Sequence, residues 1–420
     1  MPETTETIAW ADSDGLQHQV RWRSLAGHSP PRRVVLADDR ISADAAYKLV
    51  CEGTGLLWCG DYQNARHLLQ ALGRRIDDRA LRAAKAAGKA AAAAGQSVPK
   101  RAGGARAGKP SDSPFAPRPV APALPPAAEM GRVFHLQRKA QAQRARILGL
   151  LLLPFDVDHG LPLRRAPDLR AAGLEAHGPV AEHYVASLRE LLGLVGAHEW
   201  RKKGVPIAAL GAAIHPHHGV FSPVRGEYVD LVAEAPLPAA AHQASAFDIG
   251  TGTGVLAAVL ARRRVRVVAT DLSPAALVNA AENLQRLGLT GLVSLQQVDL
   301  FPAGRAGLVV CNPPWLPAQP SSPLEAAIYD PDSRMLRGFL AGLGEHLVAG
   351  GEGWLILSDL AEHLGLRSRS ELLGWVAAAG LKVLGRIDTR PRHARAADAL
   401  DPLHAARAAE TTSLWRLAAG

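Results

Sequence analysis

Four short segments in the second half of the chain carry residue types and spacings that do chemistry. The first is DIGTGTG over residues 248–254, in which Gly250, Gly252 and Gly254 alternate after a strand-like run. Glycines there let the backbone pass close to a bound cofactor at the mouth of a helix. The dinucleotide fingerprint G-x-G-x-x-G does not fit, because the residue three after Gly252 is Val255, which counts against a nicotinamide dehydrogenase. Asp271 ends the next strand-like run, where a carboxylate accepts hydrogen bonds from ribose hydroxyls. Asp299 stands near the end of the third run. Either acid alone also serves as a helix cap or a surface charge, but in this order, after the glycine turn, they reinforce one another. The fourth segment is Asn312-Pro313-Pro314-Trp315. A conjugated NH2 group is a poor nucleophile because its lone pair is delocalised. The Asn312 side-chain oxygen and the Pro313 carbonyl can accept its two N–H bonds, localising that pair towards an electrophile. Two prolines fix the turn and Trp315 offers a flat face for stacking. A rigid strand-end turn with a packing tryptophan is the plain alternative, and the upstream segments weigh against it.

These residues need a scaffold, and the alternation of strand-like and helical runs from residue 215 onward predicts βαβ units. Seven strands are expected: 245–250, 265–271, 293–301, 307–314, 353–358, 381–388 and 412–418. Between the second and third, Ser273 and Pro274 supply an N-cap and a proline at the first helical position. Leu277, Ala280, Ala281, Leu284 and Leu287 form the buried stripe, and Gly288 closes the helix. The expected fold class is α/β: a doubly wound, Rossmann-like seven-stranded sheet preceded by a mostly helical N-terminal region.

At 420 residues the chain is long enough for two or three domains. Residues 1–80 read as a small folded unit with strand-like runs at 32–39 and 54–61 and a helix carrying Leu68, Leu69, Leu72 and Ile76 on one side. Residues 81–130 read as an alanine- and proline-rich basic linker. The formal net charge is +9, and the stretch 74–118 holds eleven basic residues against three acidic ones. That concentration suits a phosphate backbone, and equally a solvated linker. Residues 131–214 read as a helical region for substrate recognition, with Val133, Leu136, Ala140 and Ile147 as the apolar stripe of its first helix and Arg138 pointing away from it. A second helical segment is expected over 178–196.

Three cysteines, Cys51, Cys59 and Cys311, exclude a disulfide framework and a four-thiolate zinc site. Cys311 reads as a small core residue. His215, His217 and His218 crowd into one short loop with proline, a poor tetrahedral cage, so no metal is expected. The longest apolar run, 147–155, is too short to span a bilayer and is interrupted by Pro154. The first ten residues are acidic and lack the features of a signal peptide, so a cytoplasmic protein is expected.

The glycine turn resembles the first motif of class I S-adenosylmethionine-dependent methyltransferases, and the Asn-Pro-Pro-Trp segment resembles the (N/D)PP(Y/F/W) motif of those that modify planar amino nitrogens. With DIGTGTGVLA, ATDLSPAAL, AENLQRLGL and VVCNPPWLP, residues 215–420 look most like the HemK-like, methyltransferase-small group, whose members methylate a glutamine side-chain amide in translation release factors. GVFS over 219–222 is also similar to ribosomal RNA guanine-N2 methyltransferases. The resemblance implies that Asp248, Gly250, Thr251, Gly252 and Gly254 shape the pocket for the methionine part of S-adenosylmethionine. It further implies that Asp271 with Leu272 holds the ribose, and that Asp299 with Leu300 meets the adenine edge. Asn312, Pro313, Pro314 and Trp315 then form the acceptor site, with Asn312 also bordering the cofactor. The expected partner is a translation protein or, alternatively, ribosomal or transfer RNA methylated at guanine N2 or adenine N6. A non-catalytic protein that binds the cofactor or RNA is the alternative from another class. Arg386, Arg390, Arg392 and Arg395 are candidates for a basic rim towards RNA, or solvated loop charges.

Overall fold

Two sheets organise the chain, as seen in a computed structural model that describes residues 6–12, 14–93, 126–224, 226–320, 324–391, 398 and 401–420. The N-terminal half contains β1 (Thr7–Ala11), β2 (Gln17–Trp22), β3 (Arg33–Ala37), α1 (Ala43–Cys51), β4 (Thr54–Trp58), α2 (Tyr62–Ala93), α3 (Ala127–Leu148), β5 (Leu151–Phe155), α4 (Arg170–His177), β6 (Tyr184–Ser187) and α5 (Leu188–Lys203). Its six strands form one mixed sheet in the order β1-β2-β6-β5-β4-β3. Leu56, Trp58, Leu151, Leu153 and Tyr184 from the sheet pack with Leu72 and Leu188 from the helices into one core.

That sheet redraws the expected domain organisation. Helices do hold more residues than strands in this half, but they are arranged around a sheet. The first 80 residues do not close a unit by themselves, because β5 and β6 lie between β4 and β2 in the sheet. The alanine-rich part of the expected linker continues α2 as far as Ala93, and α3 begins at Ala127; the linker residues between 94 and 125 lie outside the described residues. The segment expected to be helical over 178–196 holds β6 before α5. Tyr184, Val185 and Ala186 of β6 are buried in the sheet, so their apolar character serves both faces of a strand rather than one face of a helix.

A hairpin of β7 (Val205–Ile207) and β8 (Ala212–Ile214) follows, then α6 (Glu227–Glu234) and α7 (Ala239–Gln243). Val205, Ile207, Leu210 and Ile214 pack into the core of the second sheet. The C-terminal unit therefore begins near residue 205 rather than 215.

The second sheet comprises β9 (Ala246–Ile249), β10 (Val267–Asp271), β11 (Val293–Gln297), β12 (Ala306–Cys311), β13 (Leu347–Ser358), β14 (Leu381–Thr389) and β15 (Thr412–Ala419), in the order β11-β10-β9-β12-β13-β15-β14. β15 is antiparallel to its neighbours β13 and β14, and β11, β10, β9, β12 and β13 pair in parallel. This is the doubly wound α/β sheet expected from the sequence. α8 (Val255–Arg262), α9 (Pro274–Arg286), α10 (Arg334–Leu343), α11 (Leu360–His363), α12 (Arg369–Ala378) and α13 (His404–Ala409) complete the unit. β9 and β12 are buried along their whole length, as a parallel strand covered on both faces must be. From β9 the chain steps outward to β10 and β11, then crosses back to β12 on the other side of β9. That reversal opens a crevice at the carboxyl ends of β9 and β12, where α/β sheets bind ligands.

Candidate active site

Strand register gathers the chemistry at one edge. Cys311 pairs with Ile249 across β12 and β9, and Thr270 pairs with Ile249 across β10 and β9. Gly250, Asp271 and Asn312 therefore leave three adjacent strands side by side at the carboxyl edge.

The glycine turn is held in the left-handed region, with φ of 73° at Gly250, 56° at Gly252 and 80° at Gly254, where a side chain is strained. A Cβ on Gly250 would come within 2.5 Å of Met335 Cε, whereas one on Gly252 would meet nothing within 4 Å. Gly252 thus faces open space, as a backbone that approaches a ligand should. Gly254 lies at the N-cap of α8.

Asp248 is buried below the turn, at 1% exposure. Its Oδ2 accepts from Thr251 Oγ1 at 2.7 Å and from the Ala257 amide at 3.0 Å, while buried Oδ1 has no hydrogen-bond partner. Burial pushes its carboxyl up to about 6, against the opposing effect of those two bonds. Asp271 accepts from the Gly252 amide at 2.9 Å and from the Ser273 amide at 2.9 Å, so it ties the glycine turn to the start of α9. Leu272 beside it is 60% exposed, an apolar surface at the crevice. Asp299 lies two residues beyond β11, shorter than expected, and pairs with Arg334 at the start of α10. Leu300 holds a positive φ of 68° and its carbonyl accepts from Thr270 Oγ1 at 2.7 Å.

In the Asn-Pro-Pro-Trp turn, Trp315 Nε1 donates to Asn312 Oδ1 at 2.9 Å. Trp315 is half-buried and packs against the cores on both faces of the sheet. The structure gives it a part beyond the stacking expected of it: the indole fixes the Asn312 oxygen in place. Cys311, at the end of β12, is fully buried and its thiol is pushed well up by desolvation, as a core residue.

Three contributors escaped the sequence reading. Asn283, buried in α9, donates to the Thr253 carbonyl at 3.0 Å and accepts from the His215 amide at 2.8 Å, bracing the glycine turn against the segment after β8. Glu227 in α6 is buried with Oε1 unpartnered. Met335 closes over Gly250. A buried polar residue in the middle of an amphipathic helix was the one available signal for Asn283. His215 and His217 are tied into this bracing, His215 donating from Nδ1 to the Arg201 carbonyl at 2.7 Å and His217 pairing with Glu282 at 2.9 Å. Arg386 is engaged by Asp388 and lies over the Trp415 ring, so it offers no free rim charge; Arg390 is exposed, and Arg392 and Arg395 lie outside the described residues.

Comparison with known proteins agrees with this geometry. Residues 211–365 match the family model described as Methyltransferase small domain. The chain is similar to the release factor glutamine methyltransferase of Cereibacter sphaeroides, 34% identical over 167 residues that cover 36% of this chain and 58% of that protein. It is also similar to the release factor glutamine methyltransferase of Moorella thermoacetica, 41% identical over 116 residues covering 26% and 41% of the two chains. Among solved structures, a methyltransferase from Pyrococcus furiosus shares 18% identity with a TM-score of 0.35 over 55% of this chain and 97% of that one. The chain spans about half the length of the curated relatives it matches. The C-terminal unit is similar to class I S-adenosylmethionine-dependent methyltransferase domains. More particularly, the similarity over residues 211–365 is to the methyltransferase small domain.

Proposed function

We propose that this protein is an S-adenosylmethionine-dependent N-methyltransferase whose acceptor is a glutamine side-chain amide in a translation release factor, acting in the cytoplasm. The observation that carries the reading is Asn312 Oδ1, held by Trp315 at 2.9 Å beside a glycine turn that leaves an adjacent strand. The residues present suit the cofactor. The unpartnered Oδ1 of buried Asp248 calls for a hydrogen-bond donor or cation, which matches a methionine ammonium. The open face of Gly252 admits close approach, and Asp271 and exposed Leu272 suit a ribose and the flat base beyond it. When bound, S-adenosylmethionine supplies a methyl group activated by its sulfonium.

The chain's own contribution is alignment. Asn312 Oδ1 and the Pro313 carbonyl accept the two N–H bonds of the acceptor amide, restoring lone-pair character to its nitrogen. Pro313 and Pro314 keep the acceptors convergent, so little reorganisation is needed during transfer. The similarity to two release factor glutamine methyltransferases supports an amide as the acceptor.

The test is transfer of tritiated methyl from S-adenosylmethionine into lysate of a strain lacking the protein, with Asn312→Ala as the blank. Label that resists ribonuclease, is lost to protease and appears in purified release factor supports the reading. Label lost to ribonuclease alone replaces it with methylation of an RNA base. No label above the blank removes macromolecular methylation and leaves a binding role.

A further inference from the structure

We infer that Arg138, on a helix of the N-terminal half, is a positioning residue for the methyl acceptor: it fixes the loop after the Asn-Pro-Pro-Trp turn, so both halves of the chain build the acceptor wall. This rests on the N-methyltransferase reading above. The loop in question comprises residues 316–320 and 324–330. It starts one residue after Trp315, and Leu316 bridges to Tyr329 while its carbonyl accepts from the Asp330 amide at 2.9 Å. The loop continues directly from the turn that carries Asn312.

Three contacts from one side chain hold it. Arg138 Nη2 donates to the Gln319 carbonyl at 2.7 Å and reaches Glu325 Oε2 at 3.3 Å. The guanidinium carbon lies 3.8 Å from the centre of the Tyr329 ring, within the range of a cation–π contact. Buried Nη1 has no hydrogen-bond partner, in keeping with a guanidinium face given to the ring. These contacts touch the loop on both sides of residues 321–323, so one side chain staples its two limbs.

The helix that carries Arg138 is itself firmly seated. Phe134 and Met130, one and two turns earlier on the same face, are buried with Leu316, Leu360 and Leu364 of the catalytic unit. A Cβ on Gly131 would lie 3.0 Å from the Leu364 carbonyl, so helix and catalytic unit meet closely. Arg138 therefore lies on the buried face of α3 rather than pointing away from it, and it extends an apolar contact into a polar one at the mouth of the site. An acceptor held about 1 Å out of line loses on the order of 100-fold in rate, so loop placement by Arg138 translates directly into transfer.

The experiment uses the full chain with Arg138→Ala and Arg138→Lys. Hydrogen–deuterium exchange is read at peptides spanning 316–330 and 248–257, S-adenosylhomocysteine binding by calorimetry, and methyl transfer to purified release factor. Arg138→Ala is expected to speed exchange in 316–330 by about 10-fold, leave exchange in 248–257 and cofactor affinity unchanged, and lower both kcat and kcat/KM for release factor by about 10-fold or more. Arg138→Lys, which keeps the charge but not the planar fork, should recover part of both effects. Unchanged exchange in 316–330, or an equal rise throughout the catalytic unit, overturns the inference. If Arg138→Ala does not fold, Arg138→Lys is read by the same loop-specific criterion. Absence of release factor methylation by the unaltered protein would refute the acceptor assignment, while the exchange experiment still decides whether Arg138 staples the loop.

Discussion

Replacing Asp248 by asparagine separates what its charge does for the fold from what it does for the cofactor. In the folded protein the carboxyl is pushed up to about 6 from an ordinary 3.8, chiefly by burial. At about 1.4 kcal/mol per pH unit, that gap means the ionised form costs the fold about 3 kcal/mol at pH 8. The sign follows from linkage. Below 3.8 the group is protonated in both states and costs nothing; stability is lost as pH rises from about 4 to about 6, and stays constant above. Asparagine mimics the protonated form. Both existing bonds, from Thr251 Oγ1 and the Ala257 amide, end on Oδ2, so an asparagine oxygen placed there keeps them. Its NH2 group then occupies the unpartnered Oδ1 position. Urea denaturation of the cofactor-free protein should therefore show Asp248→Asn more stable by up to about 3 kcal/mol at pH 8 and by about 2 kcal/mol or less at pH 5. Calorimetry with S-adenosylhomocysteine should show the opposite trend. Losing a charged acceptor costs about 2 kcal/mol, or about 30-fold in affinity, and the wild-type affinity should fall as pH drops below about 6 while the variant's does not. A variant less stable than wild type at pH 8 would refute the buried-charge argument, and one that binds as tightly would refute the assignment of Oδ1 to the cofactor.

Other substitutions probe other links. Asn312→Ala should lower transfer by about 100-fold or more with S-adenosylhomocysteine affinity within about twofold, because only the acceptor's N–H bonds are lost; Trp315→Phe, which removes the indole N–H that holds Asn312, should cost about 10-fold in kcat in the same assay. Gly307→Ala should destabilise the catalytic unit by about 3 kcal/mol in chemical denaturation, since its Cβ would fall 1.9 Å from the Ala240 carbonyl oxygen. Asp61, gripped by Arg165 at 2.6 and 2.8 Å, has its carboxyl lowered to about 2, chiefly by that side-chain hydrogen bond. Its stabilising contribution is present above about 4 and lost as pH falls towards about 2, so Arg165→Met should flatten the pH dependence of unfolding in that window.

Legibility followed the range of the interactions. α9 was readable because its signals are local: Ser273 caps the Ala276 amide and Pro274 opens the first turn, although Ala281 of the expected stripe is exposed and the buried face runs through Ala276, Ala280 and Leu284. The central strands of the second sheet, β9 and β12, were readable because each is a short apolar run buried along its whole length. In contrast, β1 and β2, at one side of the first sheet, mix exposed with half-buried and buried residues, and gave no continuous apolar run to find. For α3, spacing alone suggested Val133, Leu136, Ala140 and Ile147, yet Leu136 is 68% exposed while Met130 and Phe134 are buried. The stripe was misphased because the face that packs mixes Met, Phe and Arg138, and its complement lies in α11 and the acceptor loop, more than 180 residues away in sequence.

The sequence by itself determined the local chemistry: a turn that only glycines allow, a proline-locked pair of acceptors, and a carboxylate at each of two strand ends. These depend on neighbouring residues, whose backbone restrictions are set by their own side chains. Tertiary structure alone decided that Asn312 emerges beside Gly250, because the chain crosses from β11 back over β9 to bury both faces of β12. It also decided that Oδ1 of Asp248 is left without a partner, that Trp315 grips Asn312, and that a helix from the first half holds the acceptor loop. Each of these arises from surfaces far apart in the chain being buried together, and no local spacing records which surface will meet which.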